Sequence, residues 1–230
     1  MRTFEETLEK SPWARELPAG HLDRVRRTAV VRDLQPGCYA CHKGDPANAW
    51  LGVVDGLVKL VSLSASGKSV TFAAVPAGSW FGEGSVLKRE ARKYDVVALR
   101  ESRVAFLPEA TFFWLLDTSI PFNRFILTQL NERLGQFMAA FEHDRLLEPE
   151  ARVAHALANM CHPLLYPGHE RHIELSQDEL SHLVGASRQR VSQALRVLEK
   201  TGLIRVEYRM ITVVDIDGLR AFGNEPAESA

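Results

Sequence analysis

A short segment near the C-terminal end of the chain concentrates side chains that can recognise DNA bases. Arginine can donate two hydrogen bonds to guanine O6 and N7, and glutamine can bond adenine N6 and N7 in a similar way. The segment contains Arg188, Gln189, Arg190, Ser192, Gln193 and Arg196. Between Ser187 and Arg209, six Lys and Arg residues stand against two Glu residues, a local charge of +4 (6 − 2) in a chain of net charge −1. This basic segment indicates a nucleic-acid footprint.

Two helices joined by a tight turn are predicted to carry this basic segment. Ser176 and Glu179 have the spacing of a capping box that starts the first helix, and Gly185 suits the left-handed residue that ends it. Ser187 is a suitable N-cap for the second helix, which Gly202 ends. Apolar residues recur with helical spacing along both helices: Leu180, Leu183, Val184, Val191, Ala194, Leu195 and Leu198. This pattern is typical of a helix-turn-helix, whose second helix lies in the DNA major groove.

A β-hairpin is expected directly after the second helix. Two apolar runs, Leu203 to Val206 and Met210 to Val214, flank the residues Glu207, Tyr208 and Arg209. The hairpin would form a wing with Arg209 near its tip, where a cation can touch the DNA backbone. The alternative for the basic helix is a solvated face on a helical pair that binds protein.

Short strands are predicted in the N-terminal half of the chain. From Thr28 to Leu107, short apolar runs are separated by turn-forming pairs such as Pro36-Gly37, Asp55-Gly56 and Ser66-Gly67. Closely spaced turns of this kind are typical of a β-sandwich, barrel or roll. Before Thr28 we expect short helical pieces that pack on this β domain.

A long helix is predicted from Phe122 to about Leu147, because this stretch contains no Pro and only Gly135 as a weak point. Five apolar residues alternate along it at intervals of three and four: Leu127, Leu130, Leu134, Phe137 and Phe141. This spacing is the a/d seam of a coiled coil, and we interpret it as a contact between two subunits. The alternative is burial of the seam against the chain's own β domain. Pro149 should end the helix and mark a hinge.

The composition is that of an ordinary globular protein. Of the 230 residues, 46% are hydrophobic and 25% are charged, and no stretch approaches the roughly 18 uncharged residues of a membrane span. No apolar run near the N-terminus suits a signal peptide, so we expect a cytoplasmic location and no membrane partner. The three cysteines, Cys38, Cys41 and Cys161, are too few for a disulfide framework and are expected to be thiols.

Neither a metal site nor a catalytic site is expected. Cys38 and Cys41 have redox or metal-ligand spacing, but they fall in a predicted strand, where side chains three apart point to opposite faces. Cys161 and the histidines of one loop could bind zinc, although a histidine-rich surface loop is the preferred interpretation; these histidines are His162, His169 and His172. No sequence motif of a hydrolase, a dinucleotide enzyme or a metalloenzyme is present, so we predict that the protein is not an enzyme.

Over nearly its whole length the chain resembles the cyclic AMP receptor protein and fumarate-nitrate reduction regulator (CRP/FNR) family. The clearest match runs from Leu175 to Ile204 and includes Leu175-Ser176-Gln177-Asp178-Glu179-Leu180 and Val184-Gly185-Ala186-Ser187-Arg188. Further matches in the family's order are Lys43-Gly44-Asp45, Asp55-Gly56, Ser66-Gly67-Lys68 and Gly78-Ser79-Trp80-Phe81-Gly82-Glu83. The resemblance implies an α+β fold with an N-terminal double-stranded β-roll of the jelly-roll, cyclic-nucleotide-binding-like type, a long dimerisation helix and a C-terminal winged helix-turn-helix.

The resemblance also implies domain boundaries and residue roles. We expect a β-roll sensing domain at 1–120, a dimerisation helix at 121–148, a DNA-binding domain at 149–222 and a flexible tail at 223–230. The residues expected to read DNA bases are Arg188, Gln189 and Gln193. Those expected to contact the DNA backbone are Ser176, Ser187, Arg190, Arg196 and Arg209. The expected effector pocket comprises Gly82, Glu83, Ser85, Arg92, Lys93, Tyr94 and Met138. The five seam residues named above are the expected dimer interface.

The sequence departs from the family's best-known sensors. In nucleotide-binding members the Gly-Glu pair is followed by Arg-Ser or Arg-Thr, which receives the cyclic phosphate, whereas this chain has Arg92, Lys93, Tyr94 and Asp95. A bulky Tyr94 and an anionic Asp95 do not suit a phosphate, so cyclic AMP is not expected as the effector. An iron-sulfur cluster is not expected either, because the oxygen sensors use four cysteines. Gln189 and Gln193 replace a glutamate and an arginine of the founding members, so their operator cannot be transferred to this chain.

These observations predict a homodimeric, sequence-specific transcription regulator. Its expected partners are double-stranded DNA with a near-palindromic operator, a second copy of itself, RNA polymerase and a small-molecule or redox signal whose identity the sequence does not specify. The alternative is an effector-binding module that acts on a protein partner. A third hypothesis, an enzyme on a small cupin-type barrel, would need a metal cluster among the strands, where only His42 is available.

Overall fold

The computed structural model describes residues 2–64, 66–67, 69–168 and 171–223, which fall into two units. The first unit comprises Met1–Arg133 and Leu164–Gly168, and the second comprises Leu134–Pro163 and His169–Ala230. Lys68 of one β-roll phrase, His169 of the possible zinc set and the predicted flexible tail after Gly223 lie outside the described residues.

Three short helices open the first unit: α1 (Phe4–Lys10), α2 (Pro12–Arg15) and α3 (Ala19–Thr28). α1 begins at a capping box, because Thr3 Oγ1 accepts a hydrogen bond from the Glu6 N–H at 3.2 Å and the Glu6 carboxylate accepts one from the Thr3 N–H at 2.7 Å. The three helices bury Leu8, Trp13 and Val25 in the core of the β domain. The prediction of short helical pieces packed on the strands is confirmed.

In the described part of the first unit, eight strands form two antiparallel sheets. The strands are β1 (Val30–Leu34), β2 (Tyr39–Cys41), β3 (Ala49–Asp55), β4 (Leu57–Leu63), β5 (Ser69–Pro76), β6 (Trp80–Phe81), β7 (Asp95–Ala98) and β8 (Ser102–Pro108). One sheet has the order β1-β8-β3-β6 and the other β2-β7-β4-β5. The chain thus passes repeatedly between two four-stranded layers, which confirms the predicted β-roll. A short helix that the sequence did not predict, α4 (Glu83–Leu87), follows β6.

Strand β3 is buried on both faces. Its side chains alternate between faces, so Trp50 and Val54 join the core under the helices, whereas Leu51 and Val53 join the core between the sheets. The helices therefore cover the side of this sheet that the second sheet does not. This two-sided burial explains why β3 reads as a continuous apolar run rather than as an alternating pattern.

An aromatic cluster fills the core beneath the helices. The ring of Trp13 lies 5.2 Å from Trp50 and 5.0 Å from Trp80, and Phe122 packs 5.6 Å from both Trp13 and Trp50 (ring centroids). A Cβ at Gly52 would lie 2.7 Å from the Trp80 ring, so only glycine permits this close approach. Trp50 and Trp80 are therefore core residues.

Two helices follow β8: α5 (Glu109–Thr118) and α6 (Ile120–Leu146). α6 has 27 residues and is therefore about 40 Å long; it begins two residues and ends one residue before the predicted bounds. Phe122, Ile126 and Gln129 form its buried stripe. Four predicted seam residues are exposed instead: Leu127 (64%), Leu134 (56%), Phe137 (63%) and Phe141 (54%). The fifth, Leu130, packs partly against the core of its own β domain.

The second unit contains the predicted helix-turn-helix and wing. After the end of α6 it comprises α7 (Pro149–Met160), β9 (His172–Ile173), α8 (Gln177–Val184), α9 (Arg188–Lys200), β10 (Ile204–Glu207), β11 (Met210–Val213) and α10 (Ile216–Ala221). The strands form one antiparallel sheet of order β10-β11-β9. The sequence predicted a loop where β9 lies, because a strand of two residues has no detectable periodicity. None of the described helices in either unit combines the length and hydropathy that crossing a membrane requires.

Candidate nucleic-acid interface

The first helix of the pair, α8, begins and ends where the sequence predicted. Ser176 Oγ accepts a hydrogen bond from the Glu179 N–H at 3.2 Å, and the Glu179 carboxylate accepts one from the Ser176 N–H at 2.7 Å. Gly185 ends the helix with a left-handed φ of 64°. A hydroxyl that accepts one hydrogen bond can still donate another, so Ser176 keeps a donor for a phosphate oxygen at this helix start.

The second helix, α9, separates an apolar face from a cationic face. Ser187 caps it by accepting a hydrogen bond from the Arg190 N–H at 3.3 Å. Val191, Ala194, Leu195 and Leu198 are at most 2% exposed. All the predicted DNA-contacting side chains on this helix are exposed, namely Arg188, Gln189, Arg190, Gln193 and Arg196. Within the described part of the chain none of these three arginines belongs to an ion pair, so their charge is available to a partner.

A side-chain hydrogen bond connects the wing to α9. Glu199 Oε1, on α9, accepts it from the Val206 N–H of β10 at 2.8 Å. Glu207 pairs with Met210 across the hairpin, so Tyr208 and Arg209 form its two-residue tip. Arg209 has a φ of 59°, a left-handed conformation that costs a non-glycine residue about 1 kcal/mol. Tyr208 is 92% exposed, and Arg209 is exposed beside it, as predicted for a backbone contact.

In the first unit, a buried ion pair occupies the predicted effector site. Glu83 is 1% exposed; its Oε1 accepts a hydrogen bond from Arg133 Nε at 3.1 Å, and its Oε2 accepts one from Trp50 Nε1 at 3.4 Å. Arg133 Nη2 also donates to the Trp80 carbonyl at 2.7 Å. Tyr166, in the segment Leu164–Gly168, hydrogen-bonds the same guanidinium. Both carboxylate oxygens of Glu83 are therefore already bonded within the chain.

The second cation of this site is also bonded within the chain. Arg92 is 4% exposed and donates hydrogen bonds from Nη1 to the Gly82 carbonyl at 3.3 Å and from Nη2 to the Ala49 carbonyl. Tyr94 lies close to these groups, and burial raises the pKa of its hydroxyl to about 12. The structure thus brings Gly82, Glu83, Arg92 and Tyr94 together.

The remaining predicted pocket residues behave differently. Ser85 is buried on α4. The Lys93 side chain is 63% exposed and pairs with Glu90 at 3.1 Å, so it faces solvent. Met138 is 63% exposed and belongs to the second unit. The role of these residues in effector binding stays a prediction.

Sequence reasoning missed Arg133. This residue continues the buried α6 stripe of Phe122, Ile126 and Gln129 by one more step of four. A cation that extends an apolar stripe indicates a buried ion pair, since an unpaired charge is too costly to bury. That signal could have identified the residue, although not its partner.

Two of the three cysteines have thiols of low reactivity. Burial raises the pKa of Cys41 and of Cys161 to about 11 in each case, which disfavours the reactive thiolate. Cys38 is exposed and also carries a free thiol. Among the described residues, no group of three or more histidine, cysteine or carboxylate side chains could hold a metal ion.

A histidine pair lies in the second unit between α6 and α7. The ring centroids of His143 and His155 are 4.1 Å apart, and the two ring planes are tilted by 34°. His155 is 7% exposed and hydrogen-bonds the backbone of Phe222. Burial lowers the pKa of both imidazoles below the usual 6.5, and the neighbouring His143 lowers that of His155 further. Glu142 opposes the shift at His143. The folded protein therefore favours two neutral rings.

Acid is expected to destabilise the second unit through this pair. Because the folded-state pKa values lie below 6.5, the unfolded chain binds more protons as the pH falls through that value, and the free energy of unfolding decreases. Above about pH 8 the pair should contribute no pH dependence. Urea unfolding between pH 5 and 8 measures this slope for the wild type and for His155→Phe, in which it should be smaller. The control is His182→Gln at an exposed site, and a wild-type slope in His155→Phe would contradict the prediction.

Comparisons with known proteins agree with this architecture. Residues 31–119 match the family model of the cyclic nucleotide-binding domain, and residues 151–222 match that of the Crp-like helix-turn-helix domain. The cyclic AMP receptor protein of Thermus thermophilus is 29% identical over 72% of this chain and 74% of its own length. The cAMP-activated global transcriptional regulator Vfr of Pseudomonas aeruginosa is 23% identical over 84% of this chain and 93% of its own length.

Solved structures show the same fold. FixK2 from Bradyrhizobium japonicum is 18% identical and superposes with a TM-score of 0.70, covering 86% of this chain and 99% of its own. The matched relatives are regulators rather than enzymes, and they do not favour the alternative of an effector module that acts only on a protein partner. With a cyclic nucleotide-binding domain followed by a Crp-like helix-turn-helix, the chain belongs to the CRP/FNR family of DNA-binding transcription regulators.

Proposed function

We propose that a homodimer of this chain places its two α9 helices in successive major grooves of a near-palindromic operator, about 34 Å apart. The observation that carries this proposal is the division of α9. Its apolar stripe is fully buried, while its arginines and glutamines face solvent and form no ion pair with any other residue that the structure describes. A cationic face of this kind suits the negative potential of a DNA groove.

The exposed side chains divide into base contacts and backbone contacts. Arg188, Gln189 and Gln193 lie in the first two turns of α9, where side chains reach base edges. The proposed backbone contacts are at the helix starts, along α9 and at the wing tip: Ser176, Ser187, Arg190, Arg196 and Arg209. Both helix N-termini also present backbone N–H groups, which favour phosphate.

The exposed seam of α6 supports the proposal that the protein forms a dimer. Leu127, Leu134, Phe137 and Phe141 are each more than half exposed and follow the alternating spacing of three and four. Such a stripe of large apolar side chains loses solvent contact when two α6 helices pair, at about 25 cal/mol per Å² of apolar surface. Leu130 contributes less, since it already packs on its own core.

The sensor is proposed to respond to a ligand other than cyclic AMP. Several of the matched relatives are named for cyclic AMP, but here a cyclic phosphate would have to displace Arg92 from the Gly82 and Ala49 carbonyls. It would also have to separate Glu83 from Arg133. RNA polymerase is the further partner that we propose.

Selection from a randomised pool of duplex DNA tests the proposed function. The purified full chain, with and without cell extract to supply an effector, should recover a motif with two-fold symmetry and half-sites about ten base pairs apart. Its affinity should fall steeply with added salt, because phosphate contacts release counterions. Recovery of no symmetric motif under either condition would overturn the proposal.

Arg188 and Arg209 are expected to act differently on DNA. Arg188→Ala should cost about 1–3 kcal/mol on the selected operator and relax the preference at one base pair per half-site. Arg209→Ala should weaken binding to all sequences similarly and reduce the salt dependence. Fluorescence anisotropy with the operator and its single-base variants measures both effects. Identical specificity profiles for the two variants would contradict these assignments.

A further inference from the structure

One arginine connects the end of α6 to the turn of the helix-turn-helix. Arg152, on α7, donates from Nη1 to Asp144 Oδ1 of α6 at 2.8 Å. Its Nη2 donates to the carbonyls of Val184 at 2.7 Å and Gly185 at 3.1 Å. All of these residues belong to the second unit. A single planar guanidinium therefore holds three acceptors that come from two different elements.

The guanidinium group of Arg152 suits this set of acceptors. The Val184 and Gly185 carbonyls end α8, where the helix has unsatisfied acceptors and a partial negative charge. The Arg152 side chain is 16% exposed. The rigid fork of a guanidinium can satisfy Asp144 and the two carbonyls in one geometry, whereas the point-like ammonium of a lysine cannot.

The position of this contact links it to operator geometry. Gly185 is followed by the Ser187 cap of α9, so the turn that Arg152 holds also fixes where the recognition helix starts. Asp144 lies three residues beyond Phe141, the last residue of the proposed dimer seam. The contact thus lies between the helix that pairs the two copies and the helix that reads DNA.

We propose that Arg152 and Asp144 determine the spacing between half-sites that the dimer accepts. Arg152 is a positioning residue, because it acts through the α8 turn and touches no base. The inference rests on the proposed function, since spacing has meaning only for a dimer that reads two half-sites. Loss of the Asp144 bond leaves the hydrogen bonds of Arg152 to the α8 turn intact but removes their link, through Arg152, to α6.

Duplexes with altered half-site spacing test this inference. The selected operator is prepared with its natural spacing, with one base pair removed, and with one or two base pairs added, alongside a duplex that carries one half-site. Anisotropy titrations compare the wild type with Asp144→Ala and with Arg152→Lys. Asp217→Ala is the matched control, because it removes an exposed Asp–Arg pair of similar length, 3.0 Å, from α10.

The wild type and the control are expected to lose about tenfold or more in affinity for each changed spacing. Adding or removing one base pair moves the second half-site along the DNA axis and rotates it about that axis, so the second α9 helix no longer meets its groove. Asp144→Ala and Arg152→Lys should each lose no more than about threefold when the spacing is changed. Asp144→Ala, which keeps the bonds of Arg152 to the α8 turn, should bind the single half-site as the wild type does. The inference would be overturned if both variants showed the same dependence on spacing as the wild type. It would also be overturned if they bound every duplex more weakly than the wild type by one constant factor. Either result would leave the proposed function standing. Failure of the wild type to bind any operator would overturn both.

Discussion

Phe137→Glu is expected to make the protein monomeric and to lower its affinity for a complete operator by about 100-fold or more. Phe137 is 63% exposed on the α6 seam, and a glutamate there would face its counterpart across a paired helix, where two like charges repel at short distance. Each monomer would then bind its half-site independently and lose the effective concentration that a dimer supplies. Sedimentation velocity reports the mass, and anisotropy with complete and single half-sites reports the affinity.

A control on another surface makes the dimer prediction specific. Phe72, on β5, is 49% exposed and lies outside the seam, so Phe72→Glu adds the same charge without entering α6. This variant should remain a dimer with wild-type operator affinity. A Phe137→Glu protein that stays dimeric would refute the assignment of the seam. A monomer that still binds the complete operator at wild-type affinity would refute the proposal that the two α9 helices of a dimer both contact the operator.

Arg133→Gln is expected to lower the free energy of unfolding of the first unit by about 3–5 kcal/mol. The change leaves the Glu83 carboxylate, which is 1% exposed, without its counter-ion. It also removes a donor from the Trp80 carbonyl and a partner from the Tyr166 hydroxyl. All four tryptophans of the chain lie in this unit, so tryptophan fluorescence during denaturant unfolding follows it selectively.

Two further variants test the cause of this loss. Arg103→Gln breaks the more exposed Asp33–Arg103 pair, which is 2.8 Å long, and should cost less than about 1 kcal/mol. The double variant Glu83→Gln with Arg133→Met removes both charges and should recover much of the lost stability, because no uncompensated charge stays buried. Equal losses in Arg133→Gln and Arg103→Gln, or no recovery in the double variant, would show that the ion pair does not stabilise the unit.

Local sequence patterns were sufficient to predict the helix-turn-helix and the wing. The capping box of α8, the Ser187 cap, the left-handed Gly185, the buried stripe of α9 and the wing hairpin all depend on residues a few positions apart. The structure confirms each of them. The alternation of short runs and turns likewise predicted the β-roll. The α6 seam was predicted from spacing alone, and only Leu130 turns towards its own core.

Other features required the tertiary structure. Glu83 and Arg133 are 50 residues apart in the chain, and neither residue type nor spacing shows that they meet. Arg152 bonds Val184, 32 residues away, and β9 exists because its two residues pair with β11.

The sequence by itself therefore determined the type of each major element and the charge of the DNA-reading face, because hydrogen bonds and apolar periodicity within one element encode them. Only the tertiary structure determined which charged side chains are buried together and which helix ends are held by hydrogen bonds from another element. Those choices depend on solvent exclusion and on partners that distant strands and helices bring into reach.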